Sequence, residues 1–199
     1  DKYCIMRQSI KNAISNFKLQ EGCFTLMFSA AYLTNPAKGF KKFVDLYERI
    51  QARVTNVQAL VLGDTKGELY QLTDAIFTGY VSDVDTIIKA YNCSDLYVIT
   101  SVQDNLPGTV LESLSCGTPV AGFNIGGIPE MIDDNVNGFI SEPDNLDGLA
   151  DRIIDYINSP EKHDQFSQNA RKKILDNYHK NIVVDKHVEL YNSIMKNPE

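Results

Sequence analysis

The sequence predicts an α/β fold: a parallel, doubly wound sheet with extra helices at its C-terminal end. Three observations carry this. Short apolar, β-branched runs recur along the chain and read as buried strands. Each is followed by a glycine- or proline-bearing loop and then a helical-period stretch, and such alternation builds parallel sheets. The clearest stretch runs from Leu96 to Glu130, LYVITSVQDNLPGTVLESLSCGTPVAGFNIGGIPE, and holds two strand–loop–helix units in succession. With 199 residues and no internal repeat, low-complexity tract or linker, residues 1–199 are expected to fold as one domain.

In chain order, Arg7 to Leu19 reads as an opening helix with Ile10, Ile14 and Phe17 on one face, and Phe24 to Ser29 as the first strand. The loop Ala30 to Gly39 feeds a helix whose buried stripe is Phe40, Phe43, Val44, Tyr47 and Ile50. Val57 to Leu62 is a second strand ending in Gly63-Asp64, a short helix follows around Glu68 to Leu72, and Ala75 to Phe77 is the third strand. Gly79-Tyr80-Val81 turns into a helix from Asp83 to Tyr91. In the central stretch, Leu96 to Thr100 and Pro119 to Phe123 are strands. Between them a helix opens near Thr109 with Leu111, Leu114 and Ser115 inward, and Gly117 with Pro119 stops it. Phe139 to Ser141 is the last strand. Asp144 is expected to cap a helix carrying Leu146, Leu149, Ala150, Ile153, Ile154 and Ile157 inward. Ser159-Pro160 opens another that ends near Tyr178, and Ile182 to Met195 is the last.

Composition narrows the function. Nineteen basic and 26 acidic side chains give a net charge of −7, which argues against a general nucleic-acid binder. The charge is uneven: residues 1–55 carry nine Lys/Arg against four Asp/Glu (+5), and the remainder ten against 22 (−12). No apolar run approaches membrane-span length, and no signal-peptide pattern is present. Cys4, Cys23, Cys93 and Cys116 lack Cys-x-x-Cys spacing, so reduced thiols and a cytoplasmic location are expected.

Two strand–loop–helix units side by side leave their loops and helix N-termini on one sheet edge, where open α/β sheets bind ligands and where free amides favour anions. Asp104 lies on the first of these loops and Glu112 in what reads as the first helical turn, with seven residues between them, Pro107-Gly108 included. Carboxylates accept hydrogen bonds from sugar hydroxyls, and the amides of Gly108, Thr109 and Val110 suit a phosphate. A ligand with hydroxyls at both ends and a diphosphate between them is a nucleotide-sugar. The same acids also read as a helix-start acid and a loop solubiliser. Lys38, at the end of the first loop, falls on the same edge and could neutralise phosphates, or could be a solvated lysine beside Lys41 and Lys42.

The ordered string TSVQDNLPGTVLESLSCGTPVAGFNIGGIPEMIDDNVNGFI, Thr100 to Ile140, resembles the donor-binding half of the family 4 retaining glycosyltransferases, which have the GT-B fold. The family pattern places Pro-Ser before an acidic residue, seven residues and a Glu, then Ala-x-x-x-Gly-x-Pro-Val, Gly-x-Pro-Glu, and Asn-Gly or Thr-Gly before a strand. Here those places hold Thr100-Ser101, Asp104, Glu112, Ser113, Gly117, Pro119-Val120, Gly127-Pro129-Glu130 and Asn137-Gly138. The resemblance continues more weakly from about Phe24 to the last helix.

The resemblance implies a Rossmann-like C-terminal half of a two-domain enzyme. Since the first residue is Asp1 rather than Met, an N-terminal acceptor domain is expected to be missing from this sequence. The whole enzyme would transfer a sugar from a UDP- or GDP-sugar to a hydroxyl acceptor, carbohydrate or lipid-linked, with retention and in cell-surface polysaccharide or glycan synthesis. No cofactor and no metal are implied, and peripheral association of the whole enzyme with the inner face of a membrane is an option. Glu112 would bind the ribose hydroxyls, Asp104 the transferred sugar, and Lys38 the diphosphate; these three carry the catalytic role. Further donor contacts are implied at Gly79, Tyr80 and Val81, at Leu106, Pro107, Gly108, Thr109 and Val110, and at Gly126 and Gly127, whose missing side chains allow close backbone approach. Tyr80 either stacks on the base or packs under its loop, and packing is preferred. Two departures stand out: Asp104 replaces the usual Glu, and Ser29-Ala30-Ala31 lacks the arginine that usually partners the lysine.

Other signals are weaker. Asp83-Val84-Asp85 spells a metal-binding Asp-x-Asp, but Ser82 to Asp85 reads better as a helix start with first-turn acids. Glu130 reads as a first-turn acid after Pro129, and Cys116 as a small buried hydrophobe. His163, His179 and His187 have no paired ligand spacing for zinc. No nucleophile elbow, P-loop or dinucleotide fingerprint is present. Another GT-B enzyme (an epimerase or phosphorylase) and a non-catalytic nucleotide-sugar or carbohydrate-binding module are the alternatives.

Overall fold

The computed structural model describes residues 17–67 and 72–196. Among these, six strands and four helices follow in the order β1 (Phe24–Tyr32), α1 (Phe40–Gln51), β2 (Val57–Asp64), β3 (Ala75–Phe77), α2 (Val84–Asn92), β4 (Leu96–Ile99), α3 (Gly108–Ser115), β5 (Val120–Phe123), α4 (Ile128–Met131) and β6 (Gly138–Ser141). Three longer helices close the chain: α5 (Leu146–Ile157), α6 (His163–Asn177) and α7 (Lys180–Lys196). All strand pairs are parallel, in the order β3-β2-β1-β4-β5-β6. This is the doubly wound α/β sheet expected. The helix expected at Arg7 to Leu19 lies outside the described residues except for its end, where Phe17 and Leu19 are buried. The one around Glu68 to Leu72 does too, save for Leu72, which is not helical.

Strand alternation sorts the side chains into two cores. Leu26 and Phe28 of β1 join Val57, Ala59 and Val61 of β2 under α1 and α5. Met27 of β1 faces the opposite way, with Leu60, Tyr97 and Ile99, under α2, α3, α4 and α6. The uneven charge of the sequence is resolved between two helices on the first face. Arg49 of α1 reaches Asp147 at 2.7 Å, and Lys42 and Arg53 pair with Asp144 and Asp151.

Several local expectations shift. β1 continues past Ser29 to Tyr32, with a register irregularity between them. Leu46 is buried in α1, whereas Val44 is only partly so. In α3 the fully inward residues are Val110, Ser113, Leu114 and Ser115, with Leu111 packed at the edge. The cap of α5 is Asn145, whose side chain accepts from the Gly148 N–H at 2.9 Å. Asp144 stands one residue outside, in left-handed backbone (φ 62°), and reaches Lys42 instead. Both are capping residue types, and the helix opens one residue later than expected.

Candidate functional site

The strand order reverses direction between β1 and β4, so the loops leaving these two neighbours diverge and open a crevice at the carboxyl edge of the sheet. After β1, Asn35 caps a 3-10 turn, Pro36–Lys38, by accepting from the Ala37 N–H, and Gly39 in left-handed backbone (φ 69°) turns the chain into α1. A Cβ on Gly39 would stand 1.9 Å from the Thr100 carbonyl oxygen. The Thr100 hydroxyl donates to the Gly39 carbonyl at 2.8 Å, and the Val102 N–H to the Ala37 carbonyl at 3.0 Å. On the other flank the Gly127 N–H donates to the Asp104 carbonyl at 3.1 Å. A Cβ on Gly126 or Gly127 would meet the carbonyl oxygens of Asp104 and Asn105 at 2.1 and 1.8 Å. The close approach that these two glycines allow is therefore made by the chain's own loop, which they clamp in place.

That clamp sets Asp104. Its Oδ2 lies 2.9 Å from Lys38 Nζ, the lysine side chain 42% exposed and the aspartate 16%. Lys38 is thus on the expected edge, but it is not the solvated lysine of the simpler reading, and its charge is already shared with an acid.

Between the loop and Glu112 stands the start of α3. Pro107 occupies the cap position without a side-chain bond, and no acid sits in the first turn, so the positive end of the helix stays uncompensated. Gly108 is exposed, as are Gln103, Asn105 and Leu106 of the preceding loop. The amides of Gly108 and Thr109 point out of the helix start, where no preceding turn supplies a carbonyl. Val110 is different. Its N–H donates to the Pro107 carbonyl at 3.0 Å and the residue is fully buried, so of the three amides expected to meet a phosphate it is withdrawn. Glu112 is the fifth residue of α3 and so lies in the second turn rather than the first. That extra turn aims it along the flank of the helix.

There it borders a cleft of about 160 Å³, lined by Met27, Ser29, Ala30, Ala31, Leu62, Gly63, Tyr80, Val81, Ile87, Tyr91, Thr109 and Glu112. The Tyr91 hydroxyl donates to Glu112 Oε2 at 3.1 Å. Ser29 Oγ lies 3.3 Å from the Tyr97 hydroxyl, and Tyr97 also bonds the Thr109 side chain. Burial raises the Tyr97 pKa to about 12, with the carboxylates of both Glu112 and Asp104 adding to the rise. Gly79 takes left-handed backbone (φ 73°) and its carbonyl accepts from the Gly63 N–H at 2.9 Å, which seats Tyr80 and Val81 at the cleft wall. Tyr80 is 62% exposed, so it does not pack under its loop as preferred from the sequence. Sequence reasoning missed Ser29, Tyr91 and Tyr97. The available clue was polar tips on residues of buried stripes, since a buried tyrosine hydroxyl requires a partner.

The competing motifs have structural roles. Asp83 caps α2, accepting from the Thr86 N–H at 2.8 Å, and hydrogen bonds from the Thr86 side chain and backbone hold its carboxyl below the usual range. Glu130 is an exposed acid in the first turn of α4, and Cys116 is buried. Among the described residues no three His, Cys, Asp or Glu side chains cluster as a metal site would require, and no helix is long and apolar enough to cross a membrane.

A doubly wound sheet with an anion-ready helix start and a cleft at its switch point defines the class. Residues 11–173 match the family model of glycosyl transferases group 1, well over half of the chain, and the chain belongs to that family. It is 24% identical over 165 residues to N-acetyl-alpha-D-glucosaminyl L-malate synthase of Bacillus anthracis, covering 78% of this chain and 43% of that protein. It is 23% identical over 204 residues to the capsular polysaccharide biosynthesis glycosyltransferase CapM of Staphylococcus aureus, covering 95% and 53%. The chain thus spans about half the length of these relatives. Among solved structures it superposes on Anabaena Alr3699/HepE in complex with UDP with a TM-score of 0.82 at 20% identity, covering 96% of this chain and 54% of that one. The fold is that of the GT-B glycosyltransferases.

Proposed function

We propose that this chain is the nucleotide-sugar donor-binding domain of a longer sugar transferase that retains anomeric configuration and needs no metal or other cofactor. The observation that carries the proposal is the order of groups along one edge: Lys38 with Asp104, the open start of α3, then Glu112 in an apolar cleft. A nucleotide-sugar fits that order lengthwise. The base lies against Val81 and Ile87 with Tyr80 free to close over it, Glu112 accepts from the ribose, and the amides of Gly108 and Thr109 face the diphosphate. Lys38 has three N–H donors, so it keeps Asp104 with one and reaches a phosphate oxygen with another. Asp104 accepts from the sugar hydroxyls.

In the transfer step the bond between the anomeric carbon and the diphosphate oxygen breaks, the acceptor hydroxyl oxygen bonds to the same face of the sugar, and its proton passes to the departing diphosphate. The leaving diphosphate gains charge, and Lys38 with the helix start stabilises it as it departs. The acceptor, carbohydrate or lipid-linked, is held by the part of the protein beyond this chain, in polysaccharide or glycan synthesis on the cytoplasmic side of a membrane. The UDP held by the fold neighbour Alr3699/HepE supports a UDP-sugar ahead of a GDP-sugar.

The test is a thermal-shift screen of nucleotide-sugars against the wild-type chain and Glu112→Ala. One donor is expected to raise the wild-type melting temperature and to lose that effect in the variant. Equal stabilisation of both proteins by every donor would remove Glu112 from the site.

A further inference from the structure

We propose that Tyr91 is a positioning residue for Glu112: its hydroxyl holds the carboxylate in the rotamer that receives ribose hydroxyls, and so sets the preference for ribo- over deoxyribonucleotides. This rests on the reading of Glu112 given above and extends it to a residue on a different helix. Tyr91 lies in the last turn of α2, is 1% exposed, and lines the cleft. That hydroxyl meets Glu112 Oε2 at 3.1 Å, across 21 residues of sequence. Its ring packs edge-on against Tyr97 (centroids 5.6 Å, interplanar 71°), whose hydroxyl accepts from the Ser29 hydroxyl at 3.3 Å.

The chemistry gives this contact a direction. A phenol donates one hydrogen bond, and a carboxylate has lone pairs for several. The bond from Tyr91 therefore leaves the carboxylate with capacity to accept from a vicinal diol in the cleft it borders. Removing the Tyr91 contact leaves more of the Glu112 side chain to be ordered on binding, and such ordering weakens affinity. Burial holds the Tyr91 pKa well above its ordinary value, so the donor proton stays in place at physiological pH.

The test titrates UDP, GDP and their 2′-deoxy counterparts into the chain by calorimetry, for wild type, Tyr91→Phe, Glu112→Gln and the double variant. Tyr47→Phe serves as the fold control. It too removes a buried hydroxyl, one bonded to the Thr73 and Asp74 carbonyls away from the cleft. Tyr91→Phe is expected to weaken the preferred ribonucleotide about tenfold and to abolish its advantage over the deoxy form. The double variant is expected to bind no more weakly than Glu112→Gln, and Tyr47→Phe to lower the melting temperature without changing the preference. An unchanged ribose preference in Tyr91→Phe, or losses that simply add in the double variant, would overturn the proposal while leaving Glu112 in place. Wild-type affinity in Glu112→Gln would instead overturn the reading beneath it, and binding of neither nucleotide by the wild type would overturn both. If Tyr91→Phe does not fold, 13Cζ-tyrosine spectra of the wild type decide. The Tyr91 resonance is expected to move on addition of the bound nucleotide in the wild type and not in Glu112→Gln, and a resonance that stays put would overturn the proposal.

Discussion

Lys38 and Asp104, 66 positions apart in the chain, meet at 2.9 Å across the crevice between the loops after β1 and β4. A half-exposed pair of this kind adds little to stability, at most about 1 kcal/mol. Its consequence is for binding, since the acid competes with a diphosphate for the same ammonium. Asp104→Asn is therefore expected to tighten UDP, by about threefold for one relieved charge interaction, while weakening a UDP-sugar that uses the carboxylate. Lys38→Ala is expected to weaken both. Calorimetric titration of UDP and a UDP-sugar into each variant checks the opposite signs, and parallel losses in Asp104→Asn would contradict them.

The two-sided clamp on the loop before α3 makes glycine substitutions unequal. A Cβ at Gly127 would stand 1.8 Å from the Asn105 carbonyl oxygen, whereas one at Gly108 meets nothing within 4 Å. Gly127→Ala is expected to cost about 1–3 kcal/mol, as overpacking does, and to weaken nucleotide binding by moving Asp104. Gly108→Ala is expected to leave the denaturant midpoint within error. Equal midpoints for the two variants would show that the loop yields freely.

At the opposite edge of the sheet, Asp95 precedes β4 and accepts from the Thr25 N–H at 2.7 Å. Burial pushes its carboxyl pKa up, only partly offset by the Thr25 bond and the nearby His163. A raised folded-state pKa means that the native state holds the proton more tightly. Asp95 therefore favours folding most at low pH, and that contribution is lost as pH rises through the raised value. Asp95→Asn keeps an acceptor for Thr25 without the charge. It is expected to melt higher than wild type at pH 7, with the gap closing as pH falls below the ordinary Asp range. A gap that widens toward acid would reverse the sign.

The strands and the long helices were legible because burial on both sheet faces gives unbroken apolar runs, as in Leu26, Met27 and Phe28, and burial of one helix face gives a period, as in Leu149, Ala150 and Ile153. That Lys38 and Asp104 share an edge was legible because the loops after β1 and β4 must leave the sheet on the same side. What sequence could not carry were relations between loops. The spacing around Gly126-Gly127 does not say which backbone comes close, and the Tyr91–Glu112 bond joins two helices whose relative rotation is set by packing. Val110 looked available for the same reason: its N–H is the third from the helix start, and only the geometry of Pro107 shows that a turn has already taken it.

The ordering of strands around β1 carries a consequence for biosynthesis. Its neighbour β4 begins only at Leu96, and the loop that pins Asp104 waits for Gly126 and Gly127. Every residue up to Gly127 must therefore leave the ribosome before the crevice can close. A bound nucleotide cannot template the folding of β1 to β3, which are synthesised before the loop that would hold it.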